Sequence, residues 1–266
     1  MNKQYIDYTS SCYGGKTILK EYGKLKTIDW VSMDTKELFE ENLNKYPENK
    51  SLNYYLENPI RYVQNEDNFR TKDNFTAGER GNIFLGCSHT YGDGHHLENT
   101  WAYKVNKEVG GKFWNLGIPG GDISRAFMVL SHYHEKIEVD NVFVFLPHAY
   151  RYVCYKPPSW IPVNSTNFDK NVYNLSKISI ENYISEEFAY INYYGYLNAI
   201  ENICKKNNYK LFFINRIPPI VKKNQQLEAR DLAHLNTAIH SEISTRFLKM
   251  YNENEEFNIQ SIKVTP

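Results

Sequence analysis

Asn82-Ile83-Phe84-Leu85-Gly86-Cys87-Ser88-His89-Thr90 is the stretch on which the reading of this 266-residue chain turns. Its apolar run of three, bounded by glycine, predicts a short buried strand, and the residues after the glycine predict a tight turn carrying a serine. In an open parallel sheet, ligands sit beyond the carboxyl ends of the strands. Ser88 is therefore placed where a reacting group is expected. A distant Asp231-Leu232-Ala233-His234 supplies what a serine lacks. A hydroxyl becomes nucleophilic when a base takes its proton, histidine titrates near neutrality, and a carboxylate fixes the imidazole's tautomer.

Outward from Ser88 the pattern alternates between strand and helix. A helix is expected from about Glu98 to Val109 and closed by Gly110-Gly111; a second strand follows at Lys112–Leu116, and Gly117-Ile118-Pro119-Gly120-Gly121 then turns the chain. Asp122 is the expected N-cap of a helix to about His134, and Val142–Leu146 reads as a central parallel strand. Pro147 to Ser176 reads as a long loop. A helix over about Glu187–Asn207, a strand at Lys210–Ile214, a last helix over about Leu235–Tyr251 and an edge strand over Phe257–Val264 complete the set. Such alternation predicts a three-layer α/β/α, flavodoxin-like parallel sheet. Residues 1–80 read as an N-terminal arm or cap, with one amphipathic helix over Asp34–Asn44 and a short strand at Ile60–Val63; residues 81–266 read as the core domain.

Composition narrows the function classes. Lys and Arg total 31, as do Asp and Glu, so a dedicated nucleic-acid surface or an anionic-membrane surface is not expected. Cys12, Cys87, Cys154 and Cys204 are scattered without a Cys-x-x-Cys pair, which argues against a zinc knuckle or a dense disulfide framework. The amino-terminal residues lack a secretory apolar run, and no stretch approaches the roughly 20 apolar residues of a membrane span. The expected location is cytoplasmic or in a virus particle. His89, Asp93, His95 and His96 lie close enough to suggest a metal, but a polar rim beside Ser88 is the preferred reading, and no metal is expected.

Taken alone, Asp231 and His234 read more readily as a helix cap and a surface histidine, and Ser88 as an N-cap or anion site. The order of three motifs changes the balance. Gly86-Cys87-Ser88, Asn115-Leu116-Gly117-Ile118-Pro119-Gly120 and Asp231-Leu232-Ala233-His234 resemble the Gly-Asp-Ser, Asn-x-Gly-x-x-Gly and Asp-x-x-His blocks of the SGNH (GDSL-type) hydrolase family. The string Ala229-Arg230-Asp231, the Gly-Cys-Ser variant, and Tyr62-Val63-Gln64-Asn65 with Phe69-Arg70 are similar to a divergent phage and bacterial branch. The resemblance covers roughly residues 60–250. It implies Ser88 as nucleophile, Asp231 and His234 as its partners, and the backbone N–H groups of Ser88 and Gly120 as oxyanion donors.

The family's third block, Gly-x-Asn-Asp, is replaced here by Leu146-Pro147-His148-Ala149-Tyr150-Arg151. His148, Arg151 and Asn115 are the further candidates for contacting the oxyanion or substrate. Cys87 reads as a small buried hydrophobe rather than the nucleophile. The expected function is an ester hydrolase that needs no cofactor, with a small-molecule or glycan ester as substrate and a carbohydrate O-acetyl group as first candidate. The alternative is a degenerate domain that binds a glycan or a protein, for which the aromatic residues Tyr150, Tyr152, Tyr155 and Trp160 would be suited.

Overall fold

The computed structural model describes residues 25–31, 33–146, 151–156, 159–164, 186–215 and 227–259; of residues 151–156, 159–164 and 186–188 it describes the backbone only. The described residues open with β1 (Lys26–Ile28), α1 (Lys36–Lys45), α2 (Lys50–Glu57) and β2 (Tyr62–Gln64), with β1 and β2 paired antiparallel. The expected arm helix is α1, capped by Thr35, whose side chain accepts from the Leu38 N–H. Unexpected from the sequence reading is α2. Asn49 starts it by accepting from the N–H groups of Ser51 and Leu52 at 2.9 and 3.0 Å. Leu52 and Tyr55, one turn apart, are then both buried.

The core runs β3 (Arg80–Gly86), α3 (Ser88–Tyr91), α4 (Trp101–Val109), β4 (Lys112–Asn115), α5 (Ile123–Tyr133) and β5 (Glu138–Phe145). It continues through a hairpin of β6 (Arg151–Lys156) and β7 (Ser159–Asn164) to α6 (Glu186–Asn207), β8 (Lys210–Ile214) and α7 (Thr237–Asn252). Strands β4, β3, β5 and β8 form a four-stranded sheet in that order, with every pairing parallel. Numbered by appearance, the core strands stand 2-1-3-4, the flavodoxin-like order.

The period of two along each strand sorts its residues between two helical layers. Ile83, Leu85, Trp114, Val142, Val144, Leu211 and Phe213 join α5 and α6 in one apolar cluster. Phe84, Phe113, Phe143, Phe145 and Phe212 join Trp101 and Val105 of α4 and Ile239, Ile243 and Phe247 of α7 in the other. The architecture is the expected three-layer α/β/α sandwich. Asp122 caps α5 as expected, its carboxylate accepting from the Arg125 N–H at 3.0 Å. None of the helices among the described residues is long and apolar enough to cross a membrane.

Three expectations need correction. The segment after Pro147 contains an antiparallel hairpin, β6 with β7, where a loop was expected. Tyr152-Val153-Cys154-Tyr155 carries strand-favouring side chains, and Pro162 is tolerated because a two-stranded ribbon has only edges. The last helix begins at Thr237 rather than Leu235, because Asn236 supplies the cap to the Ile239 N–H at 3.0 Å. Phe257 and Asn258 form no strand, although the Phe257 N–H reaches the Leu211 carbonyl at 2.7 Å; residues 260–264 of the expected strand lie outside the described residues.

Candidate active site

Three loops meet at the carboxyl end of the sheet. The first is the Ser88 turn. Gly86 has φ 153°, and a Cβ there would lie 2.1 Å from Thr90 Oγ1 and 2.4 Å from the Phe145 carbonyl oxygen, so only glycine fits. Ser88 is the first residue of α3 and is 8% exposed. Its carbonyl accepts from the N–H groups of Gly92 and Asp93 at 2.7 and 3.1 Å. Cys87 is fully buried in the core cluster under α5 and α6, in keeping with its reading as a small hydrophobe.

The second loop is stitched to the first. Asn115 donates through Nδ2 to the Thr90 carbonyl at 3.0 Å and accepts through Oδ1 from the Gly117 N–H at 3.1 Å. Its amide thus ties the two loops together. A Cβ on Gly117 would stand 2.5 Å from the Tyr91 nitrogen, and the Ile118 N–H donates to the Gly86 carbonyl at 2.9 Å. Gly120, buried at φ 72°, lies in the turn that the Gly121 N–H closes onto the Ile118 carbonyl at 2.8 Å.

The third loop carries Asp231 and His234 in a turn ahead of α7. Leu232 sits between them at φ 56°, a conformation a branched side chain rarely adopts. Its side chain packs against the apolar cluster of Phe39, Leu52, Tyr55, Tyr62 and Tyr91. The resulting turn brings both side chains to one side. Asp231 Oδ1 accepts from the N–H groups of Ala233 and His234 at 2.9 and 3.1 Å, and Oδ2 is hydrogen-bonded to His234 Nδ1. Burial would raise the Asp231 carboxyl, but these bonds outweigh it and hold its pKa below the ordinary carboxylate value. Burial also opposes charge on His234, yet the Asp231 bond and the fields of Asp93, Asp231 and Asp34 raise its pKa above the ordinary histidine value.

This pair is delivered to the Ser88 turn. The His234 ring lies 5.5 Å from that of His89, the residue after Ser88, and its Nε2 is 3.8 Å from Asp93 Oδ2.

Residues ahead of β3 fasten these loops. Arg230, 1% exposed, donates to Asp34 through Nε at 2.8 Å and Nη2 at 2.6 Å, and lies 3.8 Å over the Trp30 ring. Tyr62 donates to the same Asp34 carboxylate and accepts from the Gly94 N–H at 2.9 Å. Asn42 donates to the Asp231 carbonyl at 3.3 Å, and Arg70 donates to the carbonyls of Tyr91 and His95 at 3.1 and 2.7 Å. Asp34 and Arg230 are 196 positions apart, and no local signal announces their pairing.

Among the described residues no group of three or more His, Cys, Asp or Glu side chains is arranged to hold a metal ion. His95 turns to the Tyr55 hydroxyl and the Leu235 carbonyl, whereas His96 faces the Asn58 carbonyl. His148 lies outside the described residues, and of Arg151 only its backbone in β6 is described. A cleft of about 700 Å³ opens at the other end of the sheet, beside Arg80, Asn82, Asp140 and Lys210, where the strands begin and open parallel sheets do not bind ligands.

No protein-family model matches the chain, and comparison with curated proteins gives no match. Among solved structures it is similar to a protein from Desulfitobacterium hafniense DCB-2 assigned to the G-D-S-L family of lipolytic proteins. The TM-score is 0.32 and the identity 9%, over 68% of this chain and 75% of that one. It is also similar to the acetyl xylan esterase AlAXEase, with a TM-score of 0.31 and 15% identity over 66% of this chain and 74% of that one.

Proposed function

We propose that this chain is a serine esterase-type hydrolase that cleaves a carboxylic ester through Ser88, His234 and Asp231. The observation that carries the reading is the hydrogen-bonded Asp231–His234 pair, seated against the turn that holds Ser88 at the carboxyl end of a parallel sheet. The resemblance of the three sequence blocks to SGNH (GDSL-type) hydrolases supports it independently.

In this mechanism Ser88 Oγ attacks the ester carbonyl carbon while His234 Nε2 takes the hydroxyl proton. Asp231 remains ionised, holds Nδ1 as the donor, and stabilises the imidazolium. The N–H groups of Ser88 and Gly120 receive the developing oxyanion, and each such donor typically contributes about 3 kcal/mol to transition-state stabilisation. Collapse breaks the bond to the alkoxide, which leaves with the proton from His234. Water then repeats the sequence on the acyl-serine, releasing the acid and restoring Ser88. His148 or Arg151 would supply the remaining polar contact. A carbohydrate O-acetyl group is the first substrate to try.

Hydrolysis of p-nitrophenyl acetate and acetate release from acetylated oligosaccharides test the reading. Wild-type protein turns over, and Ser88→Ala and His234→Gln lose turnover while retaining the far-UV spectrum of the wild type. Equal rates in all three would overturn the assignment.

A further inference from the structure

Asp93 follows α3 and is 1% exposed, yet neither of its carboxylate oxygens has a hydrogen-bond partner among the described residues. A buried carboxylate in that condition is unfavourable unless a cation compensates it or it holds its proton. The ionisable groups acting on it are Asp34, Tyr62 and Arg70 from the residues ahead of β3, Tyr91 from α3, and Asp231 and His234 from the third loop. Arg70 is directed at backbone carbonyls. His234 remains, with Nε2 3.8 Å from Asp93 Oδ2 and Nδ1 bonded to Asp231. One imidazole is therefore flanked by two carboxylates, and the second lies nearest Nε2, the nitrogen to which the proposed mechanism gives serine's proton.

We propose that Asp93 is a positioning residue that acts through His234, holding it as an imidazolium by an ion-pair contact in the resting protein and releasing it as a base when the imidazolium loses its proton. The inference rests on His234 being the base of the proposed hydrolase. Burial pushes the Asp93 carboxyl up to about 7 against the opposing field of His234, with Asp231 and Asp34 adding to the rise. Two glycines, Gly92 at φ 88° and Gly94 at φ 75°, set the backbone on either side of Asp93. A Cβ on Gly92 would stand 2.4 Å from Thr100 Cγ2, and one on Gly94 2.9 Å from Ala229 Cβ, so the turn is pressed against its neighbours.

The first test needs no variant. NMR titration of imidazole and carboxyl carbons in the wild-type protein is expected to show the Asp93 carboxyl responding as His234 titrates. An Asp93 carboxyl that shows no inflection as His234 titrates would overturn the proposal. In Asp93→Asn the acid-side midpoint of His234 is expected to fall by about one pH unit, a tenfold change in the fraction of free base below that midpoint. The acid limb of kcat/KM moves with it, while the alkaline plateau stays near that of the wild type. An unmoved His234 midpoint overturns the proposal, and so does a uniform loss of rate at every pH, the mark of a purely structural role. If the protein hydrolyses no ester, the NMR titration still decides whether Asp93 and His234 are coupled, so failure of the hydrolase reading is separable from failure of this one.

Discussion

Replacing Asp34 with alanine isolates the contribution of the residues ahead of β3 to the site. Asp34 is fully buried and accepts both Nε and Nη2 of Arg230, itself 1% exposed. Removing one partner of a buried pair leaves an uncompensated charge and costs roughly 3–5 kcal/mol. Arg230 keeps the Asp29 carbonyl at 2.6 Å and the Trp30 face at 3.8 Å, which moves the expectation for Asp34→Ala toward about 3 kcal/mol. Tyr62 loses its acceptor in the same variant, but its hydroxyl still accepts from Gly94. Urea unfolding followed by far-UV circular dichroism at neutral pH reads the loss as a lowered midpoint with an unchanged slope. The double variant Asp34→Leu/Arg230→Met should recover most of the loss, since apolar side chains need no ionic partner. Because Arg230 adjoins Asp231, Asp34→Ala should also lower ester turnover. A loss below about 1 kcal/mol, or a double variant no better than the single one, would refute the claim that this ion pair fastens the third loop.

Other expectations follow from the same geometry. Gly117→Ala forces a Cβ to 2.5 Å from the Tyr91 nitrogen, and a thermal melt should show a loss of several degrees, whereas Gly110→Ala, with open space at its Cβ, suffers only the strain of its positive φ. Asn115→Ala leaves the Thr90 carbonyl and the Gly117 N–H without these partners and should cost about 1–3 kcal/mol in denaturant unfolding. Asp231 has a lowered folded pKa, so its stabilising effect is present above its unfolded pKa and disappears as pH falls through the folded value. Asp231→Asn should therefore destabilise the protein at neutral pH and make little difference in strong acid, as read by melts across pH. The raised pKa of His234 works in the opposite sense: its contribution is complete below the unfolded histidine pKa and is lost as pH rises through the folded one, so the effect of His234→Gln on the melting temperature should shrink in alkali.

The core was legible because each signal was local. Ile83, Phe84 and Leu85 form a continuous apolar run because helices cover both faces of their strand, and Asp122 and Gly110 mark helix ends by their own chemistry. The Asp231–His234 contact is also local, but taken alone the two residues read as a helix cap and a surface histidine, and the order of the three motifs was what singled them out. Helix α2 carried a readable signal in Asn49 followed by Leu52 and Tyr55, but its eight residues give only two turns of periodicity. What was not legible is the long-range polar network. Asp34 reads as a helix-entry residue and Arg230 as part of a motif, and only folding brings them together, with Tyr62 joining from a third segment. Asp93 was visible only as one of a loose group of potential metal ligands. Its pairing with His234 arises from a turn set by Gly92 and Gly94 and a loop more than a hundred positions away.

The proposed hydrolase requires Ser88 to be an activated nucleophile. Labelling of the purified protein with a fluorophosphonate, mapped by peptide mass spectrometry, tests it most directly. A single labelled peptide bearing the probe on Ser88 is expected, lost in Ser88→Ala and strongly reduced in His234→Gln. A folded wild-type protein that takes up no label, or a label that persists in Ser88→Ala, would contradict it.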